Sequence, residues 1–258
     1  VTIAVFVGAL LGGMAIGLPV AFALLATGVA LMIYLGNFDA QIVSGNLLAG
    51  ADSFPLMAVP FFLLAGELMN AGGLSRRIVE AALAWVGHFR GGLGYVAVIA
   101  ALIMAALSGS AVADTAAIAA LLVPMMRRAG YDVSRSAGLI SAGGVIAPVI
   151  PPSIGLVLFG VASGVSIRQL FLAGIFPGIL MGLALVMTWW FVARRDNYRP
   201  ARRASWTERL SSTTNGFWAF LLPVVVLGGL KFGVFTPTEA AVVAASMRFL
   251  SACSSIAS

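Results

Sequence analysis

The sequence predicts an all-α polytopic membrane protein, and three observations carry that class. Of its 258 residues, 61% are hydrophobic and only 9% charged, whereas a soluble domain runs near 25% charged. So few charges cannot cover a globular surface. The apolar residues fall into long runs separated by short stretches in which arginines gather, the pattern of spans and cytoplasmic loops. Glycine and proline interrupt several runs at their centres, which predicts helices broken at depth rather than plain spans. The net charge of +6 rests on those arginines and reads as a topology signal, not a nucleic-acid surface. The single Cys253 excludes a disulfide framework and any cysteine-rich metal centre. The N-terminus lacks a basic region, and its apolar run continues too far for a cleavable signal peptide.

Residues 1–34 are apolar except for Gly17-Leu18-Pro19. A span takes about 20 residues, so the stretch is read as two short helices turning at that interruption. Residues 37–53 carry Asp39 and Asp52 with no Lys or Arg. They suit a loop or an interfacial helix on the non-cytoplasmic face. Residues 54–73 form the next span, with Glu67 inside it, satisfied by a neighbour near the interface. Leu74, Ile78, Val79, Ala82, Leu83 and Val86 recur at helical spacing, with Arg76, Arg77, Glu80 and His88 largely on another face. That predicts an amphipathic helix over 74–89 lying in the interface.

Residues 91–126 are apolar but hold Ser108-Gly109-Ser110 and Asp114 at their centre. Residues 136–164 are broken by Pro148 and by Ile150-Pro151-Pro152-Ser153. Residues 170–193 form a clean span, with Trp189 and Trp190 placed at interfacial depth. Residues 194–210 form a polar loop, and 217–235 another span. Thr236-Pro237-Thr238-Glu239 then opens an apolar start that stops within about ten residues.

The arginines orient the chain. Arg76, Arg77 and Arg90 precede the 91–126 stretch; Arg127, Arg128 and Arg135 follow it. Arg194, Arg195, Arg199, Arg202, Arg203 and Arg209 fill the later loop. All three groups are cytoplasmic by the positive-inside rule. The stretch 91–126 therefore leaves the cytoplasm and returns, as two full spans or as a re-entrant hairpin. Each arm has about 16 residues, the bottom of the spanning range, and the tip holds small residues suited to close packing. The hairpin is preferred.

A central Asp in hydrocarbon costs roughly 2.5 to 3.5 kcal/mol on the translocon scale. A helix contact with an N-cap would explain Ser108 and Ser110 but not Asp114 at the same depth. The functional reading is a tip whose carbonyls and hydroxyls coordinate a hard cation, with Asp114 tuning the site. Two glycines and three prolines over 143–153 exceed a simple kink. They describe an unwound segment offering carbonyls to a cation, and a half-helix N-terminus at Ser153 to an anion. Glu239 is read as a first-turn acid, Lys231 as snorkelling at the outer interface, and His88 as structural.

An internal repeat adds to this. Leu11-Gly12-Gly13-Met14-Ala15-Ile16-Gly17 and Leu227-Gly228-Gly229-Leu230-Lys231-Phe232-Gly233 both read LGGxxxG and both precede a proline, Pro19 or Pro237. Counting spans places the first turn inside and the second outside, the inverted arrangement of secondary transporters.

These motifs, with Val123-Pro124-Met125-Met126 and Phe235-Thr236-Pro237-Thr238-Glu239-Ala240-Ala241 in the same order, resemble the large membrane subunit of TRAP transporters, the tripartite ATP-independent periplasmic family (DctM type). The resemblance covers roughly residues 1–246. It implies a sodium-coupled importer of organic anions, such as C4-dicarboxylates or sialic acids, in a bacterial or archaeal inner membrane. It implies a small four-helix membrane subunit and a periplasmic substrate-binding protein as partners, Na+ as coupling ion and no other cofactor. It further implies an elevator mechanism and no enzymatic activity; an intramembrane serine hydrolase would lack a placed base.

By position, the resemblance assigns Ser108, Gly109, Ser110, Gly144, Val149 and Pro151 to a sodium site. It assigns Ser110, Asp114, Pro152 and Ser153 to the substrate wall. It divides the chain into scaffold helices and an interfacial helix (1–90), then half of a transport domain (91–165), with the re-entrant hairpin at 91–126 and the broken helix at 136–165. A scaffold span and basic loop (166–210), the start of a second repeat (211–246) and an atypical end (247–258) follow. The family's second hairpin and second broken helix are absent, so the chain is expected to be a fragment or a product disrupted near residue 246. A non-transporting assembly role is the alternative.

Overall fold

The computed structural model describes residues 1–196, 198, 200 and 202–256. Arg199 of the basic loop and the last two residues of the expected atypical end lie outside the described residues. Every regular element among the described residues is helical, as the composition requires. The chain divides into two compact units, residues 1–53 and 54–258.

In the first unit, α1 (Thr2–Ala15) and α2 (Val20–Tyr34) pack together on either side of the expected turn. Leu18 N–H donates to Gly13 O (3.1 Å) and Gly17 N–H to Met14 O (3.0 Å), the paired bonds of a Schellman cap. Gly13 also lets α2 approach, since a Cβ there would stand 3.2 Å from that of Ala23. Residues 37–53 form a true helix, α3 (Ala40–Ala51), whose first turn Asp39 caps by accepting from Gln41 N–H.

The second unit opens with a 3-10 turn (Phe54–Met57) and α4 (Ala58–Ala71), on which Glu67 stands exposed. The amphipathic helix α5 (Leu74–Val86) buries Leu74, Ile78, Val79 and Ala82 and exposes an Arg76–Glu80 pair at 2.8 Å. Then follow α6 (Gly92–Ser108), α7 (Ala111–Arg128), α8 (Val133–Gly144), α9 (Ile154–Ser163) and α10 (Ile167–Arg195). The unit ends with α11 (Trp206–Asn215), α12 (Phe217–Phe232) and α13 (Pro237–Ile256). The last helix runs well beyond the ten residues expected after Glu239. No glycine or proline interrupts 238–256, so nothing local stops it.

The core lies around α6, which packs against α5, α7, α8, α10 and α12. Its buried residues, from Gly92 through Val96 and Ala101 to Ser108, surround the helix, the mark of an interior helix. By contrast, α10 is two-faced. Phe176, Leu180, Leu183, Met187 and Phe191 are exposed while Gly174, Gly178 and Gly182 are buried. An outward face dominated by large apolar groups, with Thr188 returning its hydroxyl to Ala184 O (2.8 Å), fits lipid rather than water. Among the described residues, α10 is the single unbroken helix long and apolar enough to cross a membrane alone.

The two tryptophans near the end of α10 differ in burial. Trp190 stays 40% exposed, but Trp189 is turned inward and only 3% exposed. Its indole N–H donates to Gly91 O (2.8 Å), and its ring occupies the space that a side chain at Gly94 would fill. Tyr131 and Tyr198 stack face to face beside it, 4.1 Å apart. Arg135, at the start of α8, forms an ion pair with Asp196 just past α10.

Candidate functional site: two helix breaks in contact

α6 ends at Ser108 because Gly109 takes the left-handed conformation, φ +62°. Ser110 then caps α7, its hydroxyl accepting from Ala113 N–H at 3.4 Å. Asp114 lies in the first turn of α7, which brings its carboxylate back over the break. The Ser108 hydroxyl donates to Asp114 Oδ1 at 2.5 Å, and Ser110 N–H donates to the same serine oxygen at 3.1 Å. Ser108 is 4% and Asp114 1% exposed. A carboxylate this deep is supported by the serine hydroxyl and by the positive end of α7.

α8 ends at Gly144, and a run of turns leads to Pro151-Pro152, joined by a cis peptide bond. Ser153 then caps α9, accepting from Leu156 N–H at 3.4 Å while its own hydroxyl donates to Pro148 O at 2.7 Å. It is fully buried. One side chain thus ties the two sides of the break together.

The two breaks touch. A Cβ on Gly109 would stand 2.6 Å from Pro152 O and 2.9 Å from Ser153 Cα, so only glycine permits this approach. Ser108, Gly109, Ser110, Asp114, Pro152 and Ser153 therefore form one cluster. Gly144 lies beside it against Thr115, whose hydroxyl would be 1.7 Å from a Cβ there and which donates to Ala111 O. Val149 and Pro151 turn toward α10: the Val149 carbonyl faces Gly174, where a Cβ would stand only 2.4 Å from it.

Sequence reasoning did not single out Thr115, nor the glycines of α10 that seat the broken segment. Ile150 packs on Gly178 as Val149 does on Gly174. Their four-residue spacing was a readable signal. Glu239 matches its expected role: Thr236 N–H donates to its carboxylate at 2.8 Å and Thr236 Oγ1 accepts from Glu239 N–H at 3.3 Å, a capping box.

The N-termini of α7 and α9 meet at this cluster, offering partial positive charge to an anion. The hydroxyls and carbonyls around them are hard oxygen donors suited to an alkali cation. Among the described residues there is no group of three or more His, Cys, Asp and Glu that could hold a transition metal. A cavity of about 400 Å³ opens beside the cluster between α7 and α8, lined by Val112, Thr115, Ser141 and Gly144.

Interrupted helices converging on a buried polar cluster are an architecture shared by secondary transporters. The chain belongs to the family described as the tripartite ATP-independent periplasmic transporter, DctM component, whose model matches residues 7–253. It is 61% identical over 241 residues to the 2,3-diketo-L-gulonate TRAP transporter large permease protein YiaN of Escherichia coli, covering 93% of this chain and 57% of that protein. It is 40% identical to the sialic acid TRAP transporter large permease protein SiaM of Vibrio cholerae, covering 90% of this chain and 55% of that one. With the C4-dicarboxylate permease DctM of the same organism the identity is 38%, covering 93% of this chain and 53% of the other. The chain spans about half the length of these relatives, which are transport permeases rather than enzymes.

Proposed function

We propose that this chain forms the first half of a sodium-coupled permease that imports carboxylated organic anions across a bacterial inner membrane. The observation that carries the reading is the contact of the hairpin break with the broken helix, Gly109 against Pro152 and Ser153, around the buried Ser108–Asp114 hydrogen bond. The relatives named for diketogulonate, sialic acid and C4-dicarboxylates share a carboxylate on their substrates. In this reading Ser108, Gly109 and Ser110 supply the hairpin's oxygens to Na+, and Gly144, Val149 and Pro151 those of the broken helix. The geometry favours the first three, because the Val149 carbonyl lies against α10. Ser110, Asp114, Pro152 and Ser153 form one wall for the substrate, whose carboxylate would sit at the N-terminus of α9.

Residues 91–165 would move as half of an elevator domain against a scaffold of 1–90 and 166–210. A small four-helix membrane subunit and a periplasmic binding protein would complete the system.

The test is uptake by the complete permease with its partners. Wild-type uptake should require sodium. Asp114→Asn and Ser110→Ala should each lower it about ten- to a hundredfold, the loss expected when a charge-assisted contact worth roughly 1.5–3 kcal/mol is removed. Sodium-independent uptake in the wild type, or undiminished uptake in both variants, would overturn the assignment.

A further inference from the structure

A groove of about 890 Å³ lies away from the polar cluster, between the α5–α6 turn and the C-terminal half of α10. Arg90 and Arg194 line it together with Tyr95, Trp190, Ile99 and Val186. The Arg194 guanidinium lies 3.8 Å above the Trp190 ring, which holds its charge at the rim. Val186 precedes Arg194 by two helical turns, roughly 12 Å along α10. The groove thus grades from two cations and an amphipathic ring to an apolar wall. Beyond it, the faces of Met187 and Phe191 are exposed and apolar.

We propose that this groove binds an anionic phospholipid of the cytoplasmic leaflet, with its phosphate between Arg90 and Arg194 and its upper acyl carbons against Ile99 and Val186. Charge complementarity selects the occupant. Guanidinium groups are matched to phosphate oxygens, the groove sits at the arginine-rich end of the helices, and the inner leaflet is where anionic headgroups concentrate. A small water-soluble anion would leave the apolar wall unused. Because the walls belong to α6 and α10, a bound lipid bridges the hairpin arm and the long span.

Native mass spectrometry of the chain in detergent, titrated with dioleoyl phosphatidylglycerol or dioleoyl phosphatidylcholine, tests this. Two arginines near an anionic headgroup give a preference for phosphatidylglycerol of roughly thirtyfold. The R90Q/R194Q pair should bring it close to unity, while R127Q/R128Q at the end of α7 keeps it. Arg194→Lys, which retains the charge without the ring stacking, should keep part of the preference. It also guards against a folding defect in the glutamine pair. Unchanged selectivity in R90Q/R194Q, equal loss in R127Q/R128Q, or full displacement by millimolar inorganic phosphate would overturn the proposal. So would a wild-type chain that retains both lipids equally, which would leave the groove to a protein partner.

Discussion

At Gly109 two separate demands fall on one residue. Its backbone is left-handed, which costs an L-residue roughly 1–2 kcal/mol, and a Cβ there would meet the backbone of Pro152 and Ser153 well inside contact distance. Gly164 has a similar φ, +68°, with open space around it. Gly164→Ala should therefore cost about 1 kcal/mol, and Gly109→Ala at least twice that. Thermal unfolding of both variants in the same detergent measures the difference. Equal losses would mean that the two breaks do not touch. Local chemistry made this residue legible: a glycine between two serines in an apolar run marks a break whatever surrounds it. Nothing local revealed that Pro152 was what it faced.

The breaks between helices were legible for the same reason, since glycine and proline act on their own backbone. What holds helix to helix was not. Trp189 reaches Gly91 across 98 residues of sequence, and its inward turn depends on Gly94 having no side chain. Both copies of the LGGxxxG pattern end their helices in the same way. Val234 N–H donates to Gly229 O and Gly233 N–H to Leu230 O, the same cap that closes α1. Yet Asn37 and Gly36 close α2 in that way too, so a shared cap is not by itself a mark of repetition. Between elements, the join of α8 to α10 carries a pH dependence. The hydrogen bond from Arg135, and then that from the Tyr198 hydroxyl, hold the Asp196 carboxyl below its ordinary range. A lowered carboxylate pKa stabilises the fold above the unfolded value of about 3.9, and the gain is lost as pH falls through the folded value. The melting temperature should thus fall from about pH 5 downward, and Asp196→Asn should flatten that acid limb. The effect at neutral pH should be small, because the pair lies at the surface, with the Arg135 side chain 48% exposed and that of Asp196 19%. An identical acid limb in the variant would remove this tie from the fold's pH response.

Across the whole molecule, a hairpin that crosses the membrane and one that stops within it make different predictions. Length does not decide between them: α6 and α7 extend roughly 26 and 27 Å, close to a hydrocarbon core of about 30 Å. The cations fix which ends lie together. Arg194 and Arg195 close α10, whereas Arg168 opens it and donates to Lys231 O at the end of α12 (2.7 Å), so these two mark the opposite face. Single cysteines in a Cys253→Ser background turn this into a rate measurement with a membrane-impermeant maleimide. Ser134→Cys, in the first turn of α8 beside Arg135, and Ser205→Cys, at the N-cap of α11, should react only after the membrane is opened. Ser166→Cys, at the start of α10, should react in intact spheroplasts. Val112→Cys decides the matter, because Val112 is 82% exposed on this chain and the chain's own packing does not shield it. Two full spans would place it in external water, to react as fast as Ser166→Cys. A re-entrant tip keeps it within the membrane, so its labelling from outside should be slower by an order of magnitude or more. Equal rates at 112 and 166 would turn the hairpin into two ordinary spans and take the Ser108–Asp114 pair out of the membrane interior, where its cost first marked it.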